Sequence, residues 1–244
     1  MKILNTLLAA VAVVLLVSGC TKKPLNYVPE DAEFVVYSNM EGVLESKIWD
    51  ALESNKVFSK EVIKSFEKEF GFDLEDLSGK IVLWGSFKEK GPKPEGMVVC
   101  LNEDEAEKIF KKLRSHYNDK DYYKVKKDDV DDCEAFTVSY KGSKDDDDIV
   151  LSVVLVNDKE LHFAFEDEPE IFEKSNKSKL ASALDADAVF ACATNGESLY
   201  DAFEDIDKDF EADGLEDVGL ITFEVFCTKH KITIEANADI SEVK

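Results

Sequence analysis

The sequence predicts an α+β fold: a largely antiparallel sheet with helices on one face, built from two related strand-helix-strand-strand units. Three observations point there. Apolar residues recur at helical spacing in some stretches and alternate or run unbroken in others. Turn residues separate pairs of strand-like runs as they do in hairpins. A motif also recurs: Asp31-Ala32-x-x-Val35 with Gly42 matches Asp185-Ala186-x-x-Val189 with Gly196 at a shift of 154.

Phe34 to Tyr37 reads as a short buried strand. Leu44, Ile48 and Leu52 then recur every four residues, and after a break around Ser54 to Val57 so do Phe58, Val62, Phe66 and Phe70, until Gly71 ends the second helix. Lys80 to Phe87 and Met97 to Leu101 are strands, with Gly91-Pro92-Lys93-Pro94 expected as the loop between them. Asn102 is the cap of the next helix and Glu105 its capping-box partner, ahead of the apolar stripe Ala106, Ile109, Phe110, Leu113 and Tyr117. Two shorter strands, near Tyr122 to Lys126 and Ala135 to Tyr140, flank Asp128 to Asp132. Ile149 to Val156 and Leu161 to Phe165 make a hairpin around Asn157-Asp158-Lys159, and an irregular helical segment runs from Glu170 to Leu184.

The second unit opens at Asp185. Its single helix carries Leu199, Phe203, Ile206 and Phe210 on one face, and Leu220 to Cys227 with Lys231 to Ala238 form its hairpin. In the last strand Ile232, Ile234, Ala236 and Ala238 alternate with polar residues, the pattern of a sheet with one wet face. Leu74-Glu75-Asp76-Leu77 matches Leu215-Glu216-Asp217-Val218 at a shift of 141, so the repeat loses length where the first unit has two helices and the second has one. Residues 30–184 are thus a first unit with an extra helix and hairpins, and 185–244 a second, shorter one. No Pro/Gly/Ser linker parts them, which favours one body over 30–244.

Charge excludes one class of partner. The 53 Asp and Glu against 30 Lys and Arg give a net charge of −23, and Arg114 is the single arginine, so phosphate neutralisation on a nucleic acid is not expected. A hydrophobic content of 44% with 16 Phe still supports a packed core.

The amino terminus carries the most specific signal. Met1-Lys2 is followed by residues Ile3 to Val17, apolar except for Asn5 and Thr6; the uninterrupted run from Leu7 is 11 residues, short of the roughly 20 that span a bilayer. It ends in Leu16-Val17-Ser18-Gly19-Cys20. This segment resembles the lipobox of bacterial lipoproteins, with Val17 where Leu is commonest. The resemblance implies cleavage before Cys20, diacylglycerol on its thiol, and acylation, typically with palmitate, of the new amino group. The mature chain would have 225 residues and a charge of −24, held on the membrane by two or three acyl chains without spanning it. Thr21 in place of Asp after the cysteine implies, by resemblance to the enterobacterial sorting rule, the outer membrane. Residues 20–29 then read as the acylated cysteine and a short tether, in which Lys22 and Lys23 either touch head groups or stay solvated. The body opening Pro29-Glu30-Asp31-Ala32 is similar to a loosely defined group of lipid-anchored bacterial proteins, a likeness that supplies no catalytic residue.

Candidate chemistry is sparse. Cys100, Cys133, Cys192 and Cys227 have no C-x-x-C or zinc spacing; buried free thiols and a disulfide are both open, and an even count in an oxidising compartment permits pairing. Asp205, Asp207, Asp209, Glu211, Asp213 and Glu216 stand at the oxygen positions of a calcium loop, but Phe210 replaces the glycine that its turn needs, and a solvated acidic helix face ended by Gly214 accounts for the pattern. Asp205, Asp207, Asp209, Asp213 and Glu216 are therefore the candidate cation ligands, with calcium as the one cofactor to test. The acids at Asp128 to Asp132 and Asp145 to Asp148 read as solvated loops. His116, His162 and His230 form no metal-spaced pair, Trp49 and Trp84 read as core, and no nucleophile elbow or phosphate loop is present. The reading is a lipid-anchored envelope lipoprotein, a non-catalytic binding or structural module contacting an envelope protein or other component. The alternatives are a calcium-dependent binding protein or a hydrolase whose carboxylates converge from distant segments.

Overall fold

The structure is a computed structural model, and it describes residues 24–55, 63–88, 91–141, 149–165, 169–206, 217–227 and 231–240. The fold is α+β. Ten strands form one antiparallel sheet in the order β10-β9-β8-β1-β2-β3-β7-β6-β5-β4. In chain order they are β1 (Phe34–Asn39), β2 (Lys80–Lys88), β3 (Gly91–Cys100), β4 (Tyr123–Val130), β5 (Cys133–Tyr140), β6 (Ile149–Val156), β7 (Glu160–Ala164), β8 (Phe190–Asn195), β9 (Val218–Cys227) and β10 (Ile232–Ile240). The helices are α1 (Met40–Leu44), α2 (Lys47–Ser54), α3 (Lys64–Phe70), α4 (Glu103–Asn118), α5 (Lys179–Ala183) and α6 (Gly196–Ile206), with 3₁₀ turns at Pro24–Tyr27 and Leu74–Asp76.

The sheet order is symmetrical about the β1–β8 pair, with β2 and β3 on one side and β9 and β10 on the other. Tyr37 pairs with Ala191, the residue 154 positions later, so at this one pair the equivalent positions of the two sequence repeats face each other and the antiparallel strands run out symmetrically from it. Lys80 pairs with Asn39 and Thr222 with Ala193, which relates β2 to β9 at a shift of 142, one more than the Leu-Glu-Asp match. The strands β4 to β7 belong to the first unit alone. Helix α4 crosses to the far edge, from which β4 to β7 return to pair β3.

Alternating side chains divide the core between the two faces of the sheet. On one face Val36, Ile81, Met97, Val99, Leu161 and Phe163 pack against helices α1 to α4. On the other, Val35, Tyr37, Val82, Trp84 and Val98 meet Leu25, Tyr27, Val28, Leu180 and Leu184. The expected restriction of helices to one face is thus corrected: the first 3₁₀ turn and α5 cover the middle of the second face, because the strands there are apolar on both sides. Trp84 also needs room above β3, and Gly96 provides it, since a Cβ there would sit 2.3 Å from the indole.

Local signals were largely followed. Ala106, Ile109, Phe110, Leu113 and Tyr117 are fully buried, each worth roughly 1.5–3 kcal/mol for the larger side chains. Glu105 accepts from the backbone N–H of Asn102 at 3.4 Å. Gly71 ends α3 at φ 76°, and a Cβ there would lie 2.4 Å from the His116 ring, so both backbone conformation and the approach of α4 require glycine. Four expectations are corrected. Gly91 to Pro94 belong to β3, where prolines are tolerated because β7 pairs only from Gly96 onward. Asp128 and Asp129 lie in β4, and only Asp131-Asp132, at φ 47° and 66°, make the turn. Glu170 to Ser178 is not helical; α5 begins at Lys179 with Ser178 Oγ accepting from the Ala181 N–H at 3.3 Å. Strand β10 is an edge, and Ile232 and Ile234 are 54% and 62% exposed instead of covered on one face.

Part of the segment that the sequence predicts as a tether over 20–29 is packed on the body. Pro24, Leu25, Tyr27 and Val28 are buried, and Leu25, Tyr27 and Val28 pack on the second face.

Candidate functional site

The apolar face of the sheet does not close completely under its helices. Phe66 and Phe70 project from α3 on successive turns, and the left-handed Gly71 turns the chain back so that Phe72 joins them, with ring centroids 4.7 Å (Phe66–Phe70) and 5.2 Å (Phe66–Phe72) apart. Three large rings over Val36, Leu83 and Met97 leave a cavity of about 60 Å³. Leu113 of α4 and Phe163 of β7 contribute to its walls, and Ser38 is the one polar residue among the described residues that line it. The Ser38 hydroxyl lies 4.0 Å from the Met40 sulfur. Among the described residues that line it none is an acid, a base or a thiol, so the lining suits an apolar group.

On the opposite face a buried polar cluster forms beneath the first 3₁₀ turn. Tyr27 donates to Glu160 Oε2 at 2.5 Å, and the Cys100 thiol lies 3.9 Å from Glu160 Oε1. The Phe172 N–H donates to His162 Nδ1 at 3.0 Å, which leaves the imidazole proton on Nε2, 3.7 Å from Glu160 Oε2 and without a hydrogen-bond partner among the described residues. His162 stacks on Phe172 at 5.6 Å, and Tyr27 meets it edge-on at 5.0 Å. Burial works against the Glu160 charge, yet the nearby His162 imidazole, the hydrogen bond from Tyr27 and the nearby Lys174 hold its carboxyl below the ordinary range. Burial and Glu160 together push the Tyr27 phenol well above its ordinary value. The His162 Nε2 and the Cys100 thiol both lie beside the Glu160 carboxylate. The cluster ties the amino-terminal turn to the sheet.

Sequence reasoning placed His162 in its strand but missed this cluster. A usable signal was present in Glu160-x-His162, since residues two apart on a strand share a face; Tyr27, 133 residues from Glu160, carries no such signal.

The predicted site residues fall elsewhere. Cys20 lies outside the described residues. So do Asp207, Asp209, Asp213 and Glu216, while Asp205 lies in the last turn of α6. Among the described residues no group of three or more His, Cys, Asp and Glu is arranged to hold a metal ion. Cys100, Cys133, Cys192 and Cys227 are not joined in disulfides. Trp49 and Trp84 are core residues, 6% and 2% exposed. His116 accepts its place from structure: its Nε2 is 2.9 Å from the Glu69 carbonyl at the end of α3. Asp76 of the repeated Leu-Glu-Asp motif binds Lys108 at 2.8 Å and Lys112 at 2.5 Å, so in the first unit this motif clamps α4. Among the described residues no helix is long and apolar enough to cross a membrane.

No family model matches the chain, and no curated protein sequence matches it. A solved structure, crystal form I of TP0453, is similar over 93% of this chain and 82% of that chain, with 8% identity and a TM-score of 0.43.

Proposed function

We propose that the protein is a lipid-anchored lipoprotein of the bacterial envelope, held through Cys20, that acts as a non-catalytic binding module for an apolar group of an envelope component. The observation that carries the binding part is the cavity of about 60 Å³ walled by Phe66, Phe70, Leu83, Met97, Leu113 and Phe163. An apolar void of this kind stays dry, and filling it recovers contacts that its lining otherwise lacks. Its size suits a branched side chain or the end of an alkyl chain. Among the described residues on its walls Ser38 is the one polar side chain, and no acid or base stands beside it there, which supports binding of an apolar group. The lipobox residues Val17-Ser18-Gly19-Cys20 support the anchor, and the acyl chains supply the membrane affinity.

The test is a titration of the mature protein with short alkyl alcohols of increasing length, read as a rise in melting temperature. Wild type is expected to gain stability up to the length that fills the cavity. Leu83→Phe, which places extra carbon in the void, is expected to keep the native far-UV spectrum and lose the gain. Equal gains in both proteins would overturn the binding site.

A further inference from the structure

We propose that the surface formed by the Pro24–Tyr27 turn and residues 174–184 is a membrane-contact face that binds anionic phospholipid head groups beside the protein's own anchor. This rests on the lipid-anchor reading and specifies how the body sits on its bilayer. The charge pattern carries the argument. Residues 20–29 and 174–184 contain five lysines and no Asp or Glu, in a chain whose 53 acidic residues make up more than one residue in five.

The fold brings these two acid-free segments together. The Ser175 N–H donates to the Asn26 carbonyl at 2.5 Å, and the Lys174 ammonium lies 5.1 Å from the centre of the Tyr27 ring. Lys174, Lys177 and Lys179 are exposed. Beside them runs a cleft of about 210 Å³ whose lining mixes the polar Asn26, Ser175, Asn176, Ser178 and Ser182 with Leu25 and Ala181. Lys22 and Lys23 directly precede Pro24 in the chain. By contrast Lys108 and Lys112 pair with Asp76, and Lys126 pairs with Asp128; on the proposed surface Lys174 lies near Glu160.

A net charge of −23 repels an anionic bilayer, so an anchored body is free to lie down only on a side where that sign is locally reversed. The basic surface is on that side, adjoining the residues that follow the acylated cysteine. Clustered lysines next to a membrane anchor attract anionic head groups, and the attraction fades within a Debye length. The Asn26 and Asn176 amides at the cleft can donate to the phosphate and glycerol oxygens that such a head group presents, whereas Ser178 and Ser182 are engaged in hydrogen bonds at α5.

The mature lipoprotein, reconstituted into vesicles of phosphatidylcholine with or without phosphatidylglycerol, tests this by residue-resolved amine labelling. Lys177 and Lys179 should react about fivefold more slowly in the anionic vesicles, with the protection abolished in concentrated salt and Lys111 unchanged. Lys177→Gln with Lys179→Gln should raise the labelling of Lys174 in the anionic vesicles. Equal reactivity in the two vesicle types, or protection that persists in concentrated salt, would overturn the proposal when the amino-terminal peptide of the same digest carries its acyl chains. A peptide without acyl chains would instead overturn the anchor reading.

Discussion

Tyr27 and Glu160, 133 residues apart, share a 2.5 Å hydrogen bond between a phenol and a carboxylate on the second face of the sheet. It ties the start of the described chain to the centre of the fold. Tyr27→Phe removes a donor to a charged acceptor and should cost about 1.5–3 kcal/mol. Denaturant unfolding measures the loss, and hydrogen exchange should show faster opening of residues 24–28 than of α4.

Gly71 is expected to tolerate no side chain. Gly71→Ala adds a Cβ at φ 76° into the His116 ring, and destabilisation should exceed the roughly 1 kcal/mol expected for the conformation alone. Pairing it with His116→Ala in a double-mutant cycle separates steric from backbone cost; full additivity would contradict the contact.

Acid should weaken the clamp between the Leu74–Asp76 turn and α4. Burial opposes the Asp76 charge, but Lys108 and Lys112 outweigh it and lower its pKa in the folded state. A group whose folded pKa is depressed contributes stability above its unfolded value, about 4, and loses it as pH falls through the folded value. Asp76→Asn should therefore cost about 1 kcal/mol at neutral pH, the pairs being partly exposed, and almost nothing near pH 2. Denaturant midpoints of both proteins across that range check the sign.

Burial pushes the Cys192 thiol up to about 11, with the Phe223 backbone opposing. At pH 8 only about one thiol in a thousand is then ionised, so an aromatic disulfide reagent should modify Cys192 only as fast as the protein opens. Peptide mapping of labelled protein over time reads this directly, and rapid native labelling of Cys192 would contradict it.

Calcium separates the binding-module reading from the cation reading. Asp205 is placed in helix α6, where its backbone cannot wrap an ion. Millimolar calcium is expected to leave the melting temperature unchanged; a shift abolished by Asp205→Asn would favour the alternative.

Periodicity and caps carried most of the fold. The α4 stripe, the Asn157-Asp158 turn and the Gly71 stop are local codes, and each repeats in the structure because packing did not need to override it. Prolines 92 and 94 misled because strand tolerance for proline depends on which neighbour pairs, a non-local fact. The Glu170 to Ser178 segment has helix-forming residues but is bound to the amino-terminal turn, as the Ser175–Asn26 contact shows. The cavity was not legible for the same reason. Phe66 and Phe70 announce a core face, but only the tertiary fit of three rings over Val36 and Leu83 leaves space between them.

The anchor underlies both the proposed function and the proposed orientation, and fractionation tests it most directly. Wild type and Cys20→Ser are expressed in a bacterial host and the membranes washed in concentrated salt. The account predicts wild type in the membrane fraction with an acylated amino-terminal peptide, and Cys20→Ser without acyl chains and released by the wash. Retention of both proteins alike, or a wild-type peptide without lipid, would contradict it.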